Sequence, residues 1–260
     1  MAILFLIPFY MLIRNAFTSE AALSSPDWHW LPPNWTFSNF SGLFDNPELP
    51  MLRSLVNSAI IAVTQTIGVL VISGMAGYGL ARIPYRYSKV VFFVITATLL
   101  IPAAVTFVPS FVLVARLGWI STKQGLIVPG LFSAFSTFLF RQNFLSFPRE
   151  LEEAAQIDGL GIWGTFWRVV VPNSKGFAAA IATLTFIGSW NAFLWPLVVG
   201  RDQDAWTVQI ALSTFLTAQS VNFAQLFMAA LVAIFPLLVM FIFMQRWIIQ
   251  GVERAGIAGD

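Results

Sequence analysis

The chain has no cysteine and one histidine, His29. Without thiols there is no disulfide framework and no thiolate metal site. A lone imidazole cannot build a histidine cluster, so no metal-ligand set is expected. Charge is scarce as well. Only 10% of residues are Asp, Glu, Lys or Arg, against about 25% in a soluble domain. The formal charge of +2 comes with no basic run, so nothing argues for a nucleic-acid partner. The phosphate loop G-x-x-x-x-G-K-[ST] is absent, and with it the usual signature of a nucleotide site. No repeat or low-complexity tract is visible.

What the chain has is apolar length. Hydrophobic residues make up 58% and the mean hydropathy is +0.78. This predicts an all-α integral membrane protein in the lipid bilayer. Spans are expected over residues 54–80, 88–114, 124–140, 177–199 and about 223–244, with Pro102 and Pro109 as kinks in the second of these. Residues 2–13 are apolar but short of the roughly 20 a span needs. They read as a first membrane helix lacking part of its N-terminal half, through a late start codon or trimming. That makes six transmembrane helices, the first truncated, in a single domain 1–260 with its core at about 53–246.

Residues 18–50 are polar and rich in proline, with Trp28, Trp30 and Trp35 suited to the headgroup layer. They are expected as an extracytoplasmic loop, and 245–260 as a cytoplasmic tail. Residues 201–220 form another polar loop with an amphipathic stretch near 206–216. Nine basic residues fall on one side of the spans: Arg82, Arg86, Lys89, Arg141, Arg149, Arg168, Lys175, Arg246 and Arg254. Five fall near the other: Arg14, Arg53, Arg116, Lys123 and Arg201. The positive-inside bias then puts both termini and the loop 147–172 in the cytoplasm of a multi-pass protein.

That loop is the longest polar interruption between two apolar spans: FPRELEEAAQIDGLGIWGTFWRVVVP. It carries Arg149, Glu150, Glu152, Glu153, Asp158 and Arg168. One ionised side chain at a bilayer centre costs roughly 2.5–3.5 kcal/mol, so six such groups are expected in water. Pro148 suits a first helical turn, and the glutamates after it favour the positive end of the helix dipole. Gly159 offers the permissive backbone that ends a helix. A second short helix is expected over 162–171, closed by Pro172. On the first helix, Leu151, Ala154, Ala155 and Asp158 fall at i, i+3, i+4 and i+7 and share a face. Pattern alone leaves an ordinary amphipathic hairpin on the bilayer surface equally open.

The residues themselves narrow this. Glu153-Ala154-Ala155, three residues, Gly159, nine residues, then Val169-Val170-Val171-Pro172 resembles the EAA loop of ABC-importer permeases. Valines stand where isoleucine and leucine are more usual. Leu117 to Ile127 resembles the connection before span four in the carbohydrate-importer (maltose/glycerol-phosphate type) permeases. Gly188-Ser189-Trp190-Asn191-Ala192-Phe193-Leu194-Trp195-Pro196 is similar to a stretch of the same family. The ending, Gln245-Arg246-Trp247 through Gly259, is also similar, with Ala258 where lysine is usual.

The resemblance implies a membrane subunit of a binding-protein-dependent importer in a bacterial-type inner membrane. Its loop would be the coupling helix between spans four and five, seated on a cytoplasmic ATPase. Glu153 would meet the ATPase surface, Ala154 and Ala155 would permit close contact, Gly159 would set the elbow, and Asp158 and Pro172 belong to the same motif. Implied partners are a second homologous permease, two cytoplasmic ATPase subunits and an extracytoplasmic solute-binding protein. By the same resemblance no cofactor is expected on this chain, and ATP and Mg would sit on the ATPase subunits.

The spans hold neutral polar groups and no acid. A proton- or sodium-coupled carrier usually places a carboxylate in the membrane, which disfavours a stand-alone secondary carrier or channel. A membrane enzyme lacks any catalytic pair. Gln65, Ser136, Trp190 and Asn191 are candidates for the path of a hydroxyl-rich solute, which hydrogen-bonds to amides and hydroxyls and stacks on aromatic faces. Interhelical hydrogen bonding is the alternative role for each.

Overall fold

The computed structural model describes residues 2–217 and 222–257, and every regular element among them is helical. The chain forms two compact units, one of Met1–Ile60 and Trp190–Met240, the other of Ile61–Ser189 and Phe241–Asp260.

In the first unit, polar side chains fasten backbone that no helix pairs. Helix Ala2–Ala16 ends with Arg14 and Asn15 buried, and the Arg14 guanidinium lies 4.4 Å over the Trp28 ring. The Asn39 amide donates to Ala16 O at 2.8 Å and Thr18 O at 2.9 Å. Loop 18–50 is therefore ordered and carries two short helices, Glu20–Leu23 and Ser38–Phe44. Glu20 Oε2 accepts the Ala224 N–H at 2.8 Å, which satisfies an otherwise orphan donor at the start of helix Phe223–Ile257. Asn57 Nδ2 donates to Asp204 O and Trp206 O, and Ser58 Oγ accepts the N–H of Val208, where helix Val208–Thr217 begins.

The second unit is organised by helix Met51–Arg82, which enters it at Ile61. Its glycines allow close approach. A Cβ on Gly77 would lie 2.7 Å from Phe140 Cβ and 2.9 Å from Arg141 N. Val69, Tyr78, Phe140, Phe144, Phe166, Val170 and Ile181 form the core.

Several expected spans are interrupted. Residues 88–114 divide into Ser88–Leu100 and Ala103–Arg116, bent by 101°. Ile101 is extended, with φ −84° and ψ 116°, as a residue before proline prefers; Pro109 stays within the second helix. Residues 124–140 resolve into Lys123–Ile127, a 3₁₀ turn Val128–Gly130 and helix Ala134–Leu145. Ser133 caps that last helix by accepting the Ser136 N–H. Residues 177–199 divide into Lys175–Trp190 and Leu194–Val199. The last helix runs on past residue 244 to Ile257, so most of the expected tail is helical. Ala258, Gly259 and Asp260 lie outside the described residues.

Among the described residues Met51–Arg82 and Phe223–Arg246 are long and apolar enough to cross a membrane, and the number is up to four if each of two bent pairs counts as one span. Helix Leu4–Ala16 is also apolar but shorter. The six-span expectation thus meets helices broken by proline or by capped turns within apolar sequence.

Candidate functional site

The acidic segment lies within the second unit. Pro148 stands one position before helix Arg149–Ile157, with Glu150 and Glu152 in its first turn. The helix ends in two paired bonds: Gly159 N–H to Gln156 O at 3.0 Å and Leu160 N–H to Ala155 O at 2.9 Å. This is a Schellman termination, which needs a left-handed residue. Gly159 supplies it with φ +85°. A Cβ there would meet nothing within 4 Å, so glycine serves the backbone and not the space.

The helix is sharply two-sided. Glu152 is 7% exposed and Ala155 5%, while Glu153, Ala154, Asp158, Leu151 and Ile157 face outward, Ile157 at 86%. The face expected from spacing, Leu151 with Ala154, Ala155 and Asp158, is therefore divided. Ala155 falls three residues after Glu152 and follows it inward.

Glu152 is buried despite its charge because two side chains meet it, Arg82 and Tyr78. Arg82 Nε lies 2.8 Å from Oε1, an ion pair whose atoms are off the line a hydrogen bond requires. The Tyr78 hydroxyl donates to Oε2 at 3.3 Å. Arg82 Nη2 also donates to Phe147 O, the carbonyl just ahead of Pro148. The Tyr78 ring packs against Phe166 at 4.8 Å, Phe144 at 5.7 Å and Trp163 at 6.4 Å between centroids. Sequence reasoning counted Glu152 among the acids expected in water and Arg82 among the basic residues that set orientation, and gave neither of them, nor Tyr78, a part in this buried contact. A helical face drawn through Ala155 alone would have contained Glu152.

The second arm begins as helix Ile162–Thr165, widens to a π-turn over Phe166–Val170 and continues through Val171–Asn173. Pro172 does not close it. The break comes at Ser174, and the next helix leaves at 80°. The wider turn accommodates a proline that has no N–H to return to the preceding turn. Phe166 and Val170 point inward, while Ile162, Trp163 and Trp167 are exposed.

The candidate path residues sit as follows. In the second unit, Gln65 Nε2 donates to Leu126 O at 3.0 Å and Ile127 O at 3.2 Å, and its Oε1 accepts from Ser189 at 2.6 Å. The amide thus pairs carbonyls beside the 3₁₀ break, and a Cβ on Gly130 would lie 2.3 Å from it. Ser136 is buried in the first turn of its helix. In the first unit, Trp190 is buried and its indole N–H donates to Ala233 O at 3.1 Å. Asn191 is exposed, and its Oδ1 accepts from Gln209 Nε2 at 3.1 Å. Among the described residues no three His, Asp or Glu side chains gather as a metal site would need.

Comparison with known proteins gives a consistent result. The family model described as "Binding-protein-dependent transport system inner membrane component" matches residues 68–254. The arabinooligosaccharides transport system permease protein AraQ of Bacillus subtilis (strain 168) is 30% identical over 261 residues, covering 100% of this chain and 92% of that protein. The lactose transport system permease protein LacG of Rhizobium radiobacter is 34% identical over 215 residues, covering 83% and 78%. The sn-glycerol-3-phosphate transport system permease protein UgpE of Yersinia pestis is 30% identical over 255 residues, covering 96% and 91%. Among solved structures, a chain of a bacterial ABC transporter involved in the import of the acidic polysaccharide alginate superposes with a TM-score of 0.83 at 23% identity. That match covers 94% of this chain and 91% of the other, and it establishes the fold.

Proposed function

Because this chain belongs to the binding-protein-dependent transport system inner membrane components, the permease subunits of ABC importers, we propose that it moves a sugar or related polyol-type solute into the cell by alternating access. The solutes named for its relatives support that class: arabinooligosaccharides, lactose and sn-glycerol-3-phosphate are all rich in hydroxyl groups. The working assembly pairs the chain with a second permease, two cytoplasmic ATPase subunits and an extracytoplasmic solute-binding protein. ATP and Mg act on the ATPase subunits. The chain crosses the inner membrane six times, the broken helices counting as spans, with both termini and the acidic helix in the cytoplasm.

One observation carries this reading, the two-sidedness of the acidic helix. Its inward face is fixed by Glu152 and Ala155, which leaves Glu153, Ala154, Leu151 and Asp158 presented outward. The buried face is taken up within the chain, by Glu152 against Arg82 and Tyr78, and the exposed acids and alanine are left for a partner. Glu153 pairs with the ATPase surface, Ala154 allows close approach, and Gly159 sets the elbow that carries the second arm through Pro172. ATP closes the ATPase dimer, the coupling helices follow, and the membrane helices rock to open outward. Asn191 is the proposed solute contact, its exposed amide paired with Gln209. The buried state of Ser136 and Trp190 and the fully engaged amide of Gln65 support a framework role along the path for those three.

The test is uptake and solute-stimulated ATP hydrolysis by the complete complex in proteoliposomes. Glu153→Lys is expected to abolish both while the subunit remains assembled. Wild-type uptake in that variant would overturn the coupling assignment.

A further inference from the structure

We infer that Glu152, Arg82 and Tyr78 form a strut that makes the coupling helix move as one body with the end of helix Met51–Arg82. This rests on the reading above, that an ATPase grips the outward face. The path of force is then set by side chains and not only by chain connectivity.

Three observations support it. First, the acidic helix adjoins helix Ala134–Leu145 and the second arm in sequence, yet its buried charge is matched by a helix far upstream, with Tyr78 lying 74 residues before Glu152. Second, Arg82 holds two points of the segment together. It pairs with Glu152 and donates to the carbonyl of Phe147, so the residues on both sides of Pro148 are tied to one guanidinium. A planar guanidinium with several fixed donors can do this, whereas a lysine presents one point charge. Third, the contact is dry. The two charged side chains are 8% and 9% exposed, and the Tyr78 ring is flanked by Phe144, Phe166 and Trp163. In such surroundings the pair cannot be exchanged for water without opening the core. The packing continues up the long helix, where Gly77 lets the Phe140–Arg141 backbone approach closely. Glu152 and Arg82 are positioning residues. They touch neither solute nor nucleotide, and they act through the helix whose outward face carries Glu153.

The experiment measures solute moved per ATP hydrolysed by the assembled complex in proteoliposomes. Glu152→Gln keeps the shape and removes the charge. It is expected to lower that ratio by about tenfold, the scale on which a coupling network is modulated, while solute-stimulated hydrolysis persists. Arg82→Lys, which keeps the charge but replaces the separate Nε and Nη2 that meet Glu152 and Phe147 O with one ammonium, is expected to fall between Glu152→Gln and wild type. The charge-exchanged pair Arg82→Glu with Glu152→Arg is expected to recover part of the ratio. A purely structural role would lower uptake and hydrolysis together and leave the ratio unchanged, which overturns the inference.

A second measurement avoids the strut altogether. Spin labels on Ile67→Cys and Ile157→Cys, both exposed positions of this unit, report the distance from long helix to coupling helix. An unchanged distance between nucleotide-free and ATP-trapped complex is expected, and a shift on trapping would overturn the inference. If Glu153→Lys leaves transport intact, the ATPase-docking reading itself fails. If Glu153→Lys abolishes transport and Glu152→Gln leaves the ratio unchanged, only the strut falls.

Discussion

Loop 18–50 and the acidic segment are both polar stretches in an apolar chain, and they are ordered by opposite means. In the loop, single side chains, mostly neutral, pair backbone groups: Asn39 holds Ala16 O and Thr18 O, Thr18 Oγ1 donates to Arg14 O at 2.7 Å, and Glu20 accepts the Ala224 N–H. Its Trp28, Trp30 and Trp35 remain more than half exposed. In the acidic segment, one buried ion pair and a box of aromatic rings do the work. Neutral hydrogen bonds contribute about 0.5–1.5 kcal/mol each, so the loop tolerates the loss of one. Breaking a buried pair leaves an uncompensated charge and costs about 3–5 kcal/mol. The loop is fastened in many small steps, the acidic segment in one large one.

Three substitutions grade that contrast, read as thermal stability of the purified complex. Arg82→Met is expected to have the largest effect, about 3–5 kcal/mol, because it strands the Glu152 carboxylate among aromatic rings; a loss under 1 kcal/mol would mean that the pair is solvated. Asn39→Ala comes next. It leaves two carbonyls without their donor, for about 1–3 kcal/mol and no effect on the ratio of solute to ATP. A change in that ratio would give the loop a share in coupling and erase the contrast. Arg53→Ala should do least. Its ion pair with Asp204 is well exposed, at 58% and 74% of the side chains, and such pairs contribute about 0–1 kcal/mol. A larger loss would show that the first unit also depends on a charge pair.

The all-helical architecture was legible from hydropathy, and the two-armed acidic segment from Pro148, the glutamates and Gly159. The glycine elbow emerged in full, with its left-handed φ and paired terminal bonds. The direction of Glu152 was not legible. Its burial looks prohibitive when acids are counted, and it is made possible by Arg82 and Tyr78 on another helix, a pairing that local spacing does not carry. The breaks were legible in part. Pro102 marks its own. The interruption between Gly130 and Ala134 lies in an apolar run, and carbonyls beside it are paired by Gln65, a residue more easily read as part of a solute path. Trp190 is a similar case: an aromatic beside an exposed amide suggests a sugar platform, and its indole N–H is engaged by Ala233 O inside the first unit. Composition reports that polar groups exist in a membrane helix. Which of them are already paired depends on the tertiary fold.

On the function proposed above, the outward face of helix Arg149–Ile157 is gripped by the ATPase. The chain contains no cysteine, so Ala154→Cys introduces its single thiol, and a photoreactive maleimide there reports what lies against that face in the assembled complex. Cross-linking to the ATPase subunit is expected, at a yield that changes with nucleotide, and none from Leu100→Cys, an exposed position elsewhere in the same unit. Labelling of lipid alone, or equal yields from the two positions, would contradict it.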